Sequence, residues 1–142
     1  MDETNSELRD WIEEIGIADN IKLLGPRGDI PVIMNAMDVH VLSSLGEAFP
    51  NVLAEAMACG TPCVTTDVGD AAIIVADQGW VVAAQDSEAL ADGLMEAYKS
   101  FAGDGAAWKA RQDACREHIM TNFELEQMCE RYRQAWQACI QA

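Results

Sequence analysis

The sequence has few basic residues: nine Lys and Arg stand against 24 Asp and Glu in 142 residues, giving a formal net charge of −15. Nucleic acids and anionic membrane surfaces recruit proteins through clustered Lys and Arg, and the basic residues here are scattered. We therefore predict no nucleic-acid partner. Any phosphate group bound by this chain must rely on backbone amides or on cations supplied from outside it.

The sequence also lacks a long apolar run, and its first residues do not predict a secretory leader. No stretch approaches the roughly 20 apolar residues of a membrane-spanning helix, and residues 1–5 are polar and acidic, unlike a signal peptide. An odd number of cysteines with no CxxC pair favours reduced thiols. We predict a cytoplasmic location, leave membrane association of a longer parent protein open, and expect the thiols to be buried and inert. These are Cys59, Cys63, Cys115, Cys129 and Cys139.

Short apolar runs alternate with helical patterns through the first hundred residues. Strands are predicted at 21–24, 39–42, 62–66 and 80–83, and helices at 6–15, with Ser6 as N-cap, at 30–36 and 51–59, with one turn at 71–75. Strands that alternate with helices form a parallel sheet covered on both faces. We therefore predict an α/β fold in which residues 1–102 form a partial Rossmann-like domain.

After this region the chain is predicted to be helical to its end. Ser87 is expected to cap a helix that stops at Gly103, and further helices are predicted at 106–121 and from 124 onward. Two apolar stripes at helical spacing are predicted to be packing faces. We assign residues 103–142 to the same domain as a helical C-terminal tail. The stripes are Leu90, Leu94, Tyr98 and Phe101, and then Leu125, Met128, Tyr132, Trp136 and Ile140.

The loop at 43–50 is the most informative stretch, because it leads from a predicted strand into a helix near Asn51. Ligands of parallel sheets bind where strands end and helices begin. The first amides of a helix lack intrahelical partners and attract anions such as phosphate. The acids Glu47 and Glu55 flank this point, and Glu55 leans back toward the helix N-terminus.

A carboxylate beside a phosphate would be repelled, so the expected partners of these acids are neutral hydroxyl groups. An ionised carboxylate accepts two hydrogen bonds in parallel from a vicinal diol such as ribose, each worth roughly 1.5–3 kcal/mol. We therefore predict that Glu55 binds a ribose and Glu47 a sugar hydroxyl, as in a nucleotide sugar. The alternative is that a Glu in a first helical turn is favoured by the helix dipole alone, by about 0.3–1 kcal/mol.

The sequence from Glu47 to Pro62, EAFPNVLAEAMACGTP, resembles the donor-binding segment of GT-B glycosyltransferases. It is similar to the large retaining, family-4-like group known as glycosyl transferases group 1, which includes capsule, exopolysaccharide and lipid-glycan mannosyl- and glucosyltransferases. The resemblance extends to 21–25, 36–39, 67–69 and Gly79 and covers most of residues 6–100. Ala48 departs from the glycine that this family usually has.

The resemblance implies a role for each matching residue. Glu47 would be the catalytic-site residue that binds a donor-sugar hydroxyl, and Glu55 would bind the ribose. The loop at Arg27 and Gly28 would contact the base. The backbone that approaches the sugar and diphosphate would come from Ala48, Phe49, Pro50, Asn51 and Val52. No metal and no further cofactor is implied, because the nucleoside-diphosphate sugar is the substrate.

The resemblance also implies that the acceptor-binding domain and the basic residues that hold the diphosphate lie outside this chain. We predict the donor-binding part of a hexosyltransferase that acts with retention on a glycan or lipid-linked acceptor, inactive alone. The alternatives are a non-catalytic nucleotide-sugar-binding module and an epimerase-like domain. Two strands that the family has between the segments 21–24 and 39–42 would be missing from this sheet. At a spacing of ~4.8 Å per strand, their absence would leave a gap of about 10 Å. Either the strand at 21–24 moves beside 39–42 or a homodimer fills the gap through unpaired edges.

Overall fold

Three parallel strands form the sheet in the computed structural model, which describes residues 5–141. The strands are β1 (His40–Leu42), β2 (Cys63–Thr66) and β3 (Trp80–Val82), and the helices are α1 (Ser6–Ile15), α2 (Ile30–Ala36), α3 (Asn51–Ala58), α4 (Ala71–Val75), α5 (Ser87–Ala102), α6 (Gly105–Asn122) and α7 (Leu125–Gln141). The sheet order is β1-β2-β3, with α3 and α4 as the crossovers that parallel strands require. The predicted α/β class is confirmed.

Helices cover both faces of this sheet. Side chains alternate between the faces of a strand, and Cys63 and Val81 point into the core formed with α3 and α4. Val64 and Val82 point the other way, toward α5. A methyl group added to Gly93 of α5 would lie 3.0 Å from Val82 Cγ1 and 3.3 Å from Val64 Cγ1, so the absence of a side chain lets the helix approach the strands closely.

The core lies between the sheet, α3, α4 and α6. Its buried members are Met34, Leu53, Ala56, Met57, Cys63, Ala71, Ile74, Val75, Cys115 and Ile119. Two polar contacts fix the ends of the surrounding helices: the Thr61 hydroxyl donates to the Met34 carbonyl at 2.7 Å, and Arg116 donates to the Ala58 carbonyl at the end of α3. Helix α3 is therefore fixed by the packing of its apolar face and by a hydrogen bond at its C-terminus.

The described residues fall into two compact units, 5–30 and 31–141. In the first, α1 is capped by Asn5, whose side chain accepts from the Leu8 amide at 3.0 Å, and it ends at Gly16 with φ 74°. The prediction that Ser6 is the cap was wrong, because a capping side chain must stand one residue before the helix to reach its free amides.

The predicted strand at 21–24 is also wrong. A 3-10 turn, Ala18–Asn20, precedes this segment, which joins no ladder among the described strands. A short apolar run becomes a strand only where a neighbouring strand accepts its backbone hydrogen bonds. Within residues 5–141 both β1 and β3 are edge strands, and the proposed homodimer stays a prediction.

The C-terminal helices form as predicted, but their apolar stripes are exposed. On α5 the buried residues are Gly93 and Ala97, while Leu94, Tyr98 and Phe101 of the predicted stripe face solvent. The helix is capped by Asp86, not by Ser87. The α7 stripe from Leu125 to Ile140 is exposed along its whole length, because periodicity identifies an apolar face without saying what covers it. That residues 103–142 belong to the same domain as residues 1–102 stays a prediction.

The cysteine prediction is partly wrong. All five thiols are free, and Cys63 and Cys115 are fully buried, but Cys129 and Cys139 on α7 are exposed. Burial raises the pKa of the Cys63 thiol, and it raises the pKa of Cys115 to about 11. In the part of the chain that the structure describes, no helix is long and apolar enough to cross a bilayer.

We expect Gly79→Ala to lower the free energy of unfolding by about 2–3 kcal/mol, the usual cost of overpacking. An added Cβ would lie 2.3 Å from the Cys63 carbonyl oxygen and 2.8 Å from Val75 Cγ1, so the backbone entering β3 would have to move. Urea unfolding measures the change. Gly105→Ala is the control: it meets no atom within 4 Å and should leave stability unchanged or raise it. Equal effects of the two substitutions would contradict this packing.

The rate of alkylation should be high at the exposed thiols and low at the buried ones. At pH 7.5 iodoacetamide should modify Cys129 and Cys139 first, because they are exposed and the reagent attacks the thiolate. Cys63 and Cys115 should resist, since burial shields them and raises the pKa of both thiols. Peptide mass spectrometry gives the rate at each site, with full modification in denaturant as the control. Native modification of Cys63 as fast as that of Cys129 would overturn the assignment.

His40, the first residue of β1, should make stability fall between pH 7.5 and 5.5. Its Nε2 is buried without a partner among the described residues, and burial lowers its pKa below 6.5. As pH falls through 6.5 the unfolded chain binds a proton that the folded chain does not, so stability is lost. His40→Gln should flatten this decline in urea unfolding. The same pH dependence in both proteins would show that the folded imidazole titrates normally.

Candidate functional site

Two loops meet at the carboxyl ends of the strands. One is 43–50, which joins β1 to α3, and the other is 67–70, which joins β2 to α4. The Asp70 amide donates to the Ala48 carbonyl at 2.9 Å, and the Thr66 hydroxyl at the end of β2 donates to the Ser44 carbonyl at 2.7 Å. These two loops therefore lie in direct contact at this edge of the sheet.

Gly69 makes the loop contact possible. Its φ is +53°, in the left-handed region that favours glycine. An added Cβ would lie 2.3 Å from the Ala48 carbonyl oxygen and 2.5 Å from that of Glu47. The two backbones therefore touch directly, and a side chain at position 69 would push the loops apart.

The loop 43–50 ends at the N-terminus of α3. Pro50 is the buried N-cap residue and makes no side-chain capping bond, so the amides of the first turn, at Asn51 and Val52, have no capping acceptor from it. Asn51 is exposed, whereas Leu53 and Met57 anchor the helix in the core. The exposed end of α3 thus presents amide donors and the positive end of the helix dipole.

Glu47 and Glu55 lie in the loop and in α3, and both are exposed. The Ser44 hydroxyl donates to Glu47 Oε1 at 2.7 Å. The Glu55 carboxylate accepts no hydrogen bond from another described residue, and neither acid belongs to an ion pair in that part of the chain. Each carboxylate therefore keeps free acceptor positions, and such groups suit a ligand that carries hydroxyl groups.

Phe49 connects this loop to the helices at the C-terminal end. Its ring lies 6.0 Å from that of Phe123, which in turn lies 5.7 Å from the His118 ring. A groove of about 570 Å³ runs alongside, between Phe49 and Asn51 on one side and α7 residues such as Met128 on the other. The loop therefore has an apolar contact, through Phe49, with the C-terminal end of α6 and the residues that follow it.

Arg27 and Gly28 belong to the unit 5–30. Arg27 forms an ion pair with Asp29, with Nε 2.8 Å from Oδ1, and the guanidinium lowers the pKa of that carboxyl below its usual value. Gly28 has open space around the position of an added side chain. The Arg27 side chain is thus engaged by an acid, and the expected contact of this loop with a base stays a prediction, as do the expected roles of Ala48, Phe49 and the two glutamates.

The sequence analysis missed Ser44 and Thr66 as residues of this site. Ser44 was recognisable as a hydroxyl three residues before Glu47, and Thr66 as the last residue of a strand that ends beside the loop. Among residues 5–141, His, Cys, Asp and Glu side chains form no group of three or more that could hold a metal ion.

Comparison with known proteins agrees with this geometry. The family model for glycosyl transferases group 1 matches residues 2–100. The lipopolysaccharide core biosynthesis mannosyltransferase LpsB of Rhizobium meliloti (strain 1021) is 32% identical over 126 residues, which are 86% of this chain and 35% of that protein. The chain spans about a third of the length of the first curated relatives it matches.

Solved structures share the fold. Sucrose-phosphate synthase from Thermosynechococcus elongatus aligns with a TM-score of 0.78 at 29% identity, covering 93% of this chain and 34% of that chain. HepE of Anabaena, solved in complex with UDP, aligns with a TM-score of 0.82 at 24% identity, covering 93% of this chain and 36% of that chain. The predicted resemblance to the C-terminal part of GT-B enzymes is confirmed, and the chain belongs to the glycosyl transferases group 1 family.

Proposed function

We propose that this chain is the donor-binding part of a glycosyltransferase that transfers a hexose from a nucleoside diphosphate to a glycan or lipid-linked acceptor with retention. The observation that carries the proposal is the uncapped N-terminus of α3, with exposed carboxylates at Glu47 and Glu55 on either side of its start. Amide donors at Asn51 and Val52 suit a diphosphate, and the carboxylates suit the hydroxyls of a sugar and a ribose.

The roles follow from charge. Glu55 lies one turn inside α3 and would accept from the ribose hydroxyls, while Glu47 would accept from a hydroxyl of the donor sugar. Neither carboxylate can neutralise a diphosphate, and the chain has a net charge of −15. We propose that the helix amides hold part of that charge and that cations from another part of a longer protein hold the rest, so that this chain alone binds donor without turning it over.

Two comparisons support the choice of ligand and acceptor class. HepE, which shares the fold, has been solved with UDP and with UDP-glucose, and LpsB is named for adding mannose to the lipopolysaccharide core. We further propose that donor binding here needs no metal ion or further cofactor, because helix amides suit a diphosphate and carboxylates suit the hydroxyl groups of the donor.

Glu55→Ala should weaken nucleotide binding by about 10-fold or more, because two charge-assisted hydrogen bonds to the ribose are lost. Amide chemical-shift titrations of the 142-residue chain with UDP-glucose, GDP-mannose and ADP-glucose measure the affinity. The shifts should concentrate at residues 46–52. Glu88→Ala is the matched control, since it removes an exposed glutamate from the first turn of another helix, α5.

The titration, combined with an assay for product, also tests whether this chain depends on another part of a longer protein. Shifts in the loop without product formation from any acceptor would fit a donor-binding part, while turnover by this chain alone would contradict its proposed dependence on another part of a longer protein. If none of the three nucleotide sugars shifts residues 46–52, or if Glu55→Ala binds as well as the unmodified chain, the proposed site is wrong.

A further inference from the structure

The side chain of Glu47 is held although it is exposed. Its Oε1 accepts a hydrogen bond from the Ser44 hydroxyl at 2.7 Å. An exposed glutamate ordinarily samples many rotamers, and ordering it when a ligand binds costs conformational entropy. A contact that already orders the carboxylate in the free protein reduces that cost and increases affinity for the ligand it fits.

Ser44 is itself fixed from the sheet. Its carbonyl accepts from the hydroxyl of Thr66 at 2.7 Å, and Thr66 is only 4% exposed at the end of β2. A buried threonine in a strand has restricted side-chain freedom. Two hydrogen bonds, from Thr66 to Ser44 and from Ser44 to Glu47, therefore fix the Glu47 carboxylate relative to β2.

The backbone of Glu47 is fixed at the opposite end. Its carbonyl oxygen lies beneath Gly69, where an added Cβ would come within 2.5 Å, and the next carbonyl, of Ala48, accepts from the Asp70 amide at 2.9 Å. Both ends of Glu47, backbone and carboxylate, are thus tied to the segment that leaves β2.

The contact leaves Glu47 available for a ligand. An ionised carboxylate offers about four acceptor positions, and the Ser44 hydroxyl occupies one of them. The remaining positions, including all of those on Oε2, stay free in the described structure. The serine therefore orients the carboxylate and leaves it able to accept hydrogen bonds from a hydroxyl group of a ligand.

We propose that Ser44 is a positioning residue that makes the site select a nucleotide sugar over the free nucleotide, and that Thr66 fixes Ser44 for this purpose. The proposal rests on the proposed donor-binding function and adds to it the residues that set sugar affinity. In this role Ser44 acts through Glu47 and needs no contact of its own with the nucleotide or the diphosphate.

The test is the ratio of the dissociation constants for UDP and UDP-glucose, and for GDP and GDP-mannose, measured by chemical-shift titration. Ser44→Ala should reduce the preference for the sugar form by about 3- to 10-fold, the effect of losing one hydrogen bond, while affinity for the free nucleotide stays unchanged. Thr66→Val should act in the same direction. Ser44→Thr keeps a hydroxyl and should restore the preference.

The control is Ser87→Ala, which removes an exposed hydroxyl on α5 and should leave the ratio unchanged. A purely structural role of Ser44 would weaken nucleotide and nucleotide sugar equally, and that result would overturn the proposal. If nucleotides bind and the ratio is the same in Ser44→Ala, the positioning role alone is overturned. If no nucleotide or nucleotide sugar binds, the donor-binding function fails and the selectivity role fails with it.

A measurement without ligand completes the test. Three-bond couplings should show one dominant χ1 rotamer for Glu47 in the unmodified chain and averaged rotamers in Ser44→Ala, with amide shifts elsewhere in the chain unchanged. An averaged Glu47 side chain in the unmodified protein would overturn the proposal, because the serine would then not hold the carboxylate.

Discussion

The direct backbone contact between Gly69 and the carbonyl groups of Glu47 and Ala48 is the constraint on which the site depends. It lets the loops after β1 and β2 pack without side chains between them, and it is completed by the hydrogen bond from Asp70 to Ala48. The strands determine where the loops start, but this contact determines how the loop 43–50 turns before entering α3. The backbone position of Glu47 depends on that turn.

The site combines amide donors with carboxylate acceptors, an arrangement that a highly acidic chain can build without cations. Buried apolar residues of α3, Leu53 and Met57, anchor the helix in the core, while Asn51 at its start is exposed. An exposed helix N-terminus offers partial positive charge while the side chains beside it are negative. This arrangement suits the proposed ligand, a nucleoside-diphosphate sugar, whose anionic and hydroxyl groups are separated.

Three of the mispredicted features share one cause. The segment 21–24 has the composition of a strand but no neighbour to pair with in the described sheet, and the α7 stripe from Leu125 to Ile140 has the spacing of a packing face but remains uncovered. The composition of a segment and the spacing of its apolar residues show whether it could pair as a strand or pack through one face. They do not show whether the fold places a partner strand or a covering surface next to it. The same reasoning explains why Cys129 and Cys139 were wrongly expected to be buried.

The sequence by itself determined the α/β class, the helices and the three strands that form the sheet, and it singled out the loop 43–50 with its glutamates as the candidate site. These follow from local apolar periodicity and from a specific string of residues. Only the tertiary structure decided that Thr66 and Ser44 form a hydrogen-bonded path to Glu47 and that Gly69 lies against its carbonyl. Residues 44 and 66 are 22 positions apart, and their contact exists because parallel pairing of β1 with β2 brings the strand ends together. The conformational preferences of each segment do not determine the distance between residues 44 and 66, because the pairing of the two strands sets it.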